Sequence, residues 1–206
     1  SELRGGRYET ARTLFLDYLK REPKSDQAAD SLHFAAEASL LHAEQLPGAP
    51  NVAALAESQQ LLDRFDRVFP DNPIRMHHEL LRGRLHHARG DKSSLQSAVK
   101  IFQTVIGQST VSHTKSLARF QLVRTYKKLD DHQHVVETSV LLLKQVQNEG
   151  AASEFIDVLI LEGTSRLALK QYQETSSAMT LYLKWQPRGS QADQALSTRA
   201  KALASL

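Results

Sequence analysis

Apolar residues of the first segment recur with helical spacing. Ala11, Phe15 and Tyr18 stand at i, i+4 and i+7 and so share one helix face. Pro23 closes the stretch, because proline disfavours helix at the residue before it. The same frame is read again at Leu61, Phe65, Val68 and Pro73, then at Ala98, Phe102 and Val105, where Thr110 stands in for the proline. Near the C-terminus it reads Tyr172, Thr175, Met179, Tyr182 and Pro187, and a weaker copy runs Val136, Val140 and Leu143. Phe15, Phe65, Phe102, Val140 and Met179 are then 50, 37, 38 and 39 residues apart. Second amphipathic stretches lie between them at 28–43, 74–88, 117–129 and 155–169. The turns read Arg89-Gly90-Asp91, Asp130-Asp131 and Leu169-Lys170-Gln171, with Asp130 or Asp131 placed to cap the following helix.

Self-similarity at this period is the signature of a repeat array, in which one hairpin cannot bury its apolar face alone and neighbours must stack. Each unit reads as helix, tight turn, helix. The pattern predicts one repeat domain over 1–206: a lone helix at 6–22, hairpins at about 25–70, 73–107, 112–147 and 152–186, and a capping helix at 190–206. The expected fold is all-α, a right-handed superhelical α-solenoid of ten to eleven helices.

Gly6, Tyr8, Ala11, Phe15 and Pro23 resemble the second helix of a tetratricopeptide repeat, and Gly83 and Gly163 match the small residue in the middle of its first helix. The likeness covers nearly the whole chain, although no Trp stands at the consensus position. The stretch from Gly6 through Leu19 and Pro23 to Ser25 is also similar to tetratricopeptide domains of bacterial cell-envelope proteins, among them outer-membrane assembly lipoproteins and a periplasmic cell-division coordinator. The resemblance implies a scaffold or adaptor that holds a partner protein or peptide in its concave groove. It also favours a periplasmic or outer-membrane-associated setting over a cytoplasmic one.

Charge changes the picture, because it is unevenly spread. Residues 1–73 carry 8 Lys/Arg and 12 Asp/Glu, residues 74–128 carry 11 and 2, and residues 129–206 carry 7 and 9. The total of +3 hides a basic middle of +9, which points to an acidic partner. If Gly83 is the small position, the positions three before, one after and four after it, Leu80, Arg84 and His87, face the groove together with His77. With Val123 at the small site of the next repeat, the equivalents are Phe120, Arg124 and Lys127. Guanidinium groups pair bidentately with carboxylates, so an acidic segment or chain-terminal carboxylate is the expected ligand. The competing reading is an anionic polymer or nucleic acid on 74–128. It is disfavoured because the segment holds three aromatics, Phe102, Phe120 and Tyr126, two of them at packing positions.

Composition narrows the chemistry. The chain has no Cys, which removes disulfides, thiolate metal sites and cysteine catalysis. Aromatics at 6% favour helices over strands. The longest uncharged apolar runs are too short to cross a bilayer, and the start at Ser1 without a signal pattern is expected of a mature or trimmed form. His77-His78 and His86-His87 share a helix without the i, i+4 spacing of a ligand pair, and His132 and His134 fall in a turn. No metal site or cofactor is expected. No phosphate loop, nucleophile elbow or isolated carboxylate pair is present, so no catalytic residue is assigned. Asp63 and Arg67 read as an i, i+4 surface pair, and Trp185 reads as a core plug.

Overall fold

The computed structural model describes residues 5–45, 51–148, 150 and 152–206, and their regular structure is helical. Ten α-helices follow one another among the described residues: α1 (Tyr8–Arg21), α2 (Ala28–Glu44), α3 (Val52–Val68), α4 (Arg75–Arg89), α5 (Lys92–Gln108), α6 (Ser112–Lys128), α7 (His132–Asn148), α8 (Val158–Ala168), α9 (Tyr172–Trp185) and α10 (Ala192–Leu203). A single 3-10 turn, Ala152–Phe155, precedes α8. The chain divides into two compact units, Ser1–Ile101 and Phe102–Leu206, with the division inside α5. Within each unit, helices pack on their neighbours in sequence. In the first, α1 packs on α2, α2 on α3 and α3 on α4; in the second the run continues from α6 to α10. Next-but-one contacts join α2 to α4, α6 to α8 and α8 to α10. This is the all-α, α-solenoid class.

The repeat is more regular than the predicted 37 to 39 residues. Leu62, Phe102, Leu142 and Tyr182 are spaced by 40 and all are buried to 1% exposure or less. The residues with positive φ at the turns, Gly90, Asp130 and Lys170, keep the same interval of 40. So do Ala43, Gly83, Val123 and Gly163, the buried positions late in the first helix of each hairpin. Two frames are misplaced, and the anchor Met179 stands three residues before Tyr182 of the Leu62 column. Val140 is 44% exposed, whereas Ser139 and Leu142 beside it are buried, so that frame is displaced on α7. A slip of one residue turns a side chain by about 100° around a helix and takes it out of the core. The other misplacement is Pro73. The proline that closes α3 is Pro70: the residue before it, Phe69, leaves the helix at φ −131 and ψ 53. Glu22 before Pro23 and Gln186 before Pro187 do the same at φ −128 and −133. In each case the N–H of that residue still bonds back, to the carbonyls of Tyr18, Phe65 and Tyr182 at 2.9, 2.7 and 2.8 Å. The true frame is therefore Ser58, Leu62, Phe65 and Pro70, and Val68 lies exposed.

Local chemistry explains the helix starts. Asn51 Oδ1 accepts from Ala53 N and Ala54 N at 3.1 and 3.2 Å to open α3. Asp91 Oδ1 accepts from Ser94 N at 2.9 Å at α5, and Asp131 Oδ1 from His134 N at 3.2 Å at α7. Each satisfies a donor that the first helical turn leaves unpaired. The α6 helix begins at Ser112, where the hairpin expected at 112–147 starts, while its apolar period is legible only from 117 because its first turn is polar.

In the first unit α2 is buried around most of its circumference. Ala28, Ala35, Ala36 and Ala43 keep it thin, so α1 and α3 both approach it closely, while Leu32, Leu40, Leu62, Phe65 and Leu85 fill the layers between helices. In the second unit Ile156, Leu159, Ile160, Met179, Tyr182 and Ala195 form one cluster across α8, α9 and α10. Gly163 allows that approach: a Cβ there would run into the thioether end of Met179. Burial of each such large side chain contributes about 1.5–3 kcal/mol. Trp185 is not a plug; it is 53% exposed at the end of α9, and Tyr182 fills the core one turn earlier.

Candidate functional site

The seven predicted groove residues fall in both units, four on α4 in the first and three on α6 in the second. The interval of 40 places them in columns. Leu40, Leu80, Phe120 and Ile160 share one position, and three of the four are buried, so this column is packing rather than contact surface. Phe120, the half-buried exception, meets Phe155 edge to face with ring centroids 5.8 Å apart. On α4 Leu80 and His87 are both buried, His77 is exposed and Arg84 is half-buried.

Arg84 is held from within. Its Nη1 donates to Glu37 Oε1 at 3.1 Å and its Nη2 lies 3.6 Å from Glu44 Oε2, both on α2. The first-unit cation is therefore already answered by two carboxylates. Neither Glu37 nor Glu44 was picked out from sequence. The signal was present: Glu44 stands 40 residues before Arg84, so the two occupy the same position on adjacent first helices.

On α6 the cations are placed differently. Arg124 is exposed and donates only to Gln121 of its own helix, at 3.2 Å. Lys127 is half-buried, with Nζ 3.4 Å from Ser165 Oγ of α8, and burial pushes its pKa below the usual lysine value. His132 Nδ1 reaches the same hydroxyl at 3.3 Å. Among the described residues neither Arg124 nor Lys127 forms an ion pair, although the charge of Asp130 favours the protonated form of Lys127.

Sequence reasoning also missed a buried polar cluster in the first unit. His78 is fully buried on α4, at a position that Ala38, Ala118 and Val158 fill in the other hairpins. Its ring stacks on Phe65 with centroids 3.8 Å apart, and its Nε2 donates to Leu62 O at 3.1 Å. Its Nδ1 is then an acceptor, and His33 Nδ1 of α2 lies 3.4 Å from it. Burial drives the His78 pKa down to about 3 and lowers that of His33 too. Both rings are neutral in the fold. Beside them Arg82 bonds Asp63 at 3.0 Å and also Asp66, so Asp63 pairs across to α4 rather than with Arg67. The Arg82 bond contributes to holding the Asp63 carboxyl below the usual range. Among the described residues no group of three or more His, Asp or Glu is arranged to hold a metal ion. No described helix is long and apolar enough to cross a membrane.

No protein-family model matches the chain, and no curated protein matches it. Solved structures do. One is the complex of the TPR2AB domain of yeast Sti1 with pHSP90, at 16% identity and a TM-score of 0.51, covering 98% of this chain and 81% of that one. At that identity the likeness is one of fold. The chain has a tetratricopeptide-like helical-repeat fold, as the Gly6 to Pro23 pattern and the hairpin period imply.

Proposed function

We propose that this chain is a non-catalytic protein-interaction scaffold that takes an acidic segment of a partner on the face of its first helices, through Arg124 and Lys127. The observation that supports it is the contrast between the two cation sets. Arg84 is spent on Glu37 and Glu44, whereas Arg124 and Lys127 hold no ion pair among the described residues. An exposed guanidinium beside a half-buried ammonium, neither of them in an ion pair, offers donors that a carboxylate from outside can satisfy. The solved neighbour is itself a complex with pHSP90, which fits a fold used for holding other proteins. The envelope setting in this proposal rests on the Gly6 to Ser25 motif, and fractionation of the producing cell tests it.

The binding test is affinity capture from the producing cell with the natural chain and with Arg124→Glu plus Lys127→Glu. Capture of the specific partner should be lost while helicity and melting stay the same. Survival of capture by the double variant would remove α6 from the contact. Nucleic acid in the captured material, with a steep salt dependence, would favour the anionic-polymer reading instead.

A further inference from the structure

The second unit has another surface, built by different residues. The second helices α7 and α9 stand on either side of α8 and leave an open cleft of about 490 Å³. Val140, Leu143, Leu159, Ala178 and Leu181 line it, so its walls are mostly apolar. On its α8 side Glu162 is buried, bonded to Arg166 Nε at 2.7 Å, and burial raises its pKa. None of Phe120, Arg124 and Lys127 takes part.

The first unit contains the equivalent arrangement, α1 and α3 on either side of α2, with a different outcome. There Arg12 of α1 reaches across to Glu57 of α3, and Ser39 of α2 donates to the same carboxylate at 3.3 Å. That cleft, about 500 Å³, is polar and bridged by an ion pair. Across the α7/α9 cleft no ion pair forms among the described residues, although Lys144 and Glu174 both line it.

A second cleft adjoins on the other side of α7, between α6 and α7, lined by Lys115, Arg119 and Lys144 with no acidic residue among the described ones. Lys144 belongs to both clefts. The ridge between them carries Val140 and Leu141, 44% and 59% exposed. Val140, Leu143 and Gln147 form one helical stripe, and Leu141, Gln145 and Asn148 form the next. An apolar trough between helices thus runs beside a row of three cations.

We infer that the outer face of α7 is a second docking surface, whose occupant is an amphipathic helix of a partner protein with an apolar stripe flanked on one side by Asp and Glu. A helix laid in the trough places residues at i, i+3, i+4 and i+7 against the apolar walls. Its acidic flank then meets Lys115, Arg119 and Lys144, which sets its orientation and rejects a basic helix.

The test is selection from a displayed library of 18-residue amphipathic helices whose flanking positions vary between Glu and Lys, against the intact chain. Enriched sequences should carry the apolar stripe with Glu on one flank. A chosen peptide should bind at least about tenfold more weakly to Leu141→Glu plus Lys144→Glu, both exposed positions. It should bind Arg124→Glu plus Lys127→Glu as well as it binds the natural chain, which separates this surface from the α6 face. Enrichment of Lys-flanked helices, no enrichment, or peptide binding that the α7 variant leaves unchanged would each overturn it.

Discussion

Lys170 holds φ at 61°, the left-handed region, in the turn between α8 and α9, and Asp130 holds 56° in the turn between α6 and α7. Gly90 does the same work at 78° in the turn between α4 and α5. For a residue with a Cβ this conformation costs about 1–2 kcal/mol, and Asp escapes part of that more readily than Lys. Lys170→Gly should therefore raise stability by about 1 kcal/mol and the melting midpoint by a few degrees. A thermal melt measures it, and a lowered midpoint would show that the lysine stem contributes more by packing than the backbone loses. The turns themselves were plain in the sequence, because Gly, Asp and polar neighbours punctuate the apolar period. The fate of Arg84 was not. Its partners lie on another helix, 40 and 47 residues earlier, and summing charge by segment separates the cation from the acids that answer it.

At the scale of elements, the sequence showed that helices alternate with short turns, and it located Gly163 as a small position. What Gly163 does is set the spacing of α8 on α9, since Met179 fills the space a side chain would take. Gly163→Ala is expected to be mild, because the end of a methionine can swing aside. Gly163→Val should cost about 1–3 kcal/mol by overpacking. Denaturant midpoints of the two variants check this, and equal midpoints would mean that α8 and α9 can part without loss. The misread elements were α7 and the end of α3. On α7, Val140 and Leu141 continue the apolar run of Leu142 and Leu143, so the core face cannot be told from the outer one by hydrophobicity alone. Near α3 two prolines stand three residues apart, and only the backbone of Phe69 shows which one closes the helix.

Over the whole molecule, the two units differ in how they meet acid. His78 and His33 are held neutral by burial, with Leu62 O, Arg82, Asp63 and Asp66 around them. The unfolded chain takes up those protons near pH 6.5, whereas His78 in the fold waits until about 3. Depressed values of this kind mean that the stabilisation is fully present above pH 6.5 and lost progressively as pH falls towards 3, on the order of several kcal/mol. In the second unit Glu162 has the opposite sign: its raised pKa gives stability that is present below the ordinary glutamate value and lost as pH rises. Hydrogen exchange between pH 7 and 4.5, corrected for intrinsic rates, should show amides of α2 to α4 losing protection while those of α8 and α9 keep theirs. His78→Leu should flatten the first response, and parallel loss in both units would refute the assignment. None of this was visible in the sequence, where His78 looks like one half of a polar pair.

The contacts of His33, Glu37 and Glu44 with His78 and Arg84 bear on a hazard peculiar to chains of look-alike pieces. Leucine and alanine layers are promiscuous, so a hairpin that closed on the wrong neighbour would still hide its oil. Had α2 met α8, it would have faced Val158 and Thr164 in place of His78 and Arg84, stranding two carboxylates beside groups that cannot answer them. Such a mismatch acts as a proofreading penalty during assembly: it sets α8 apart from α4 as a successor of α2 and helps to give a repetitive chain a defined order.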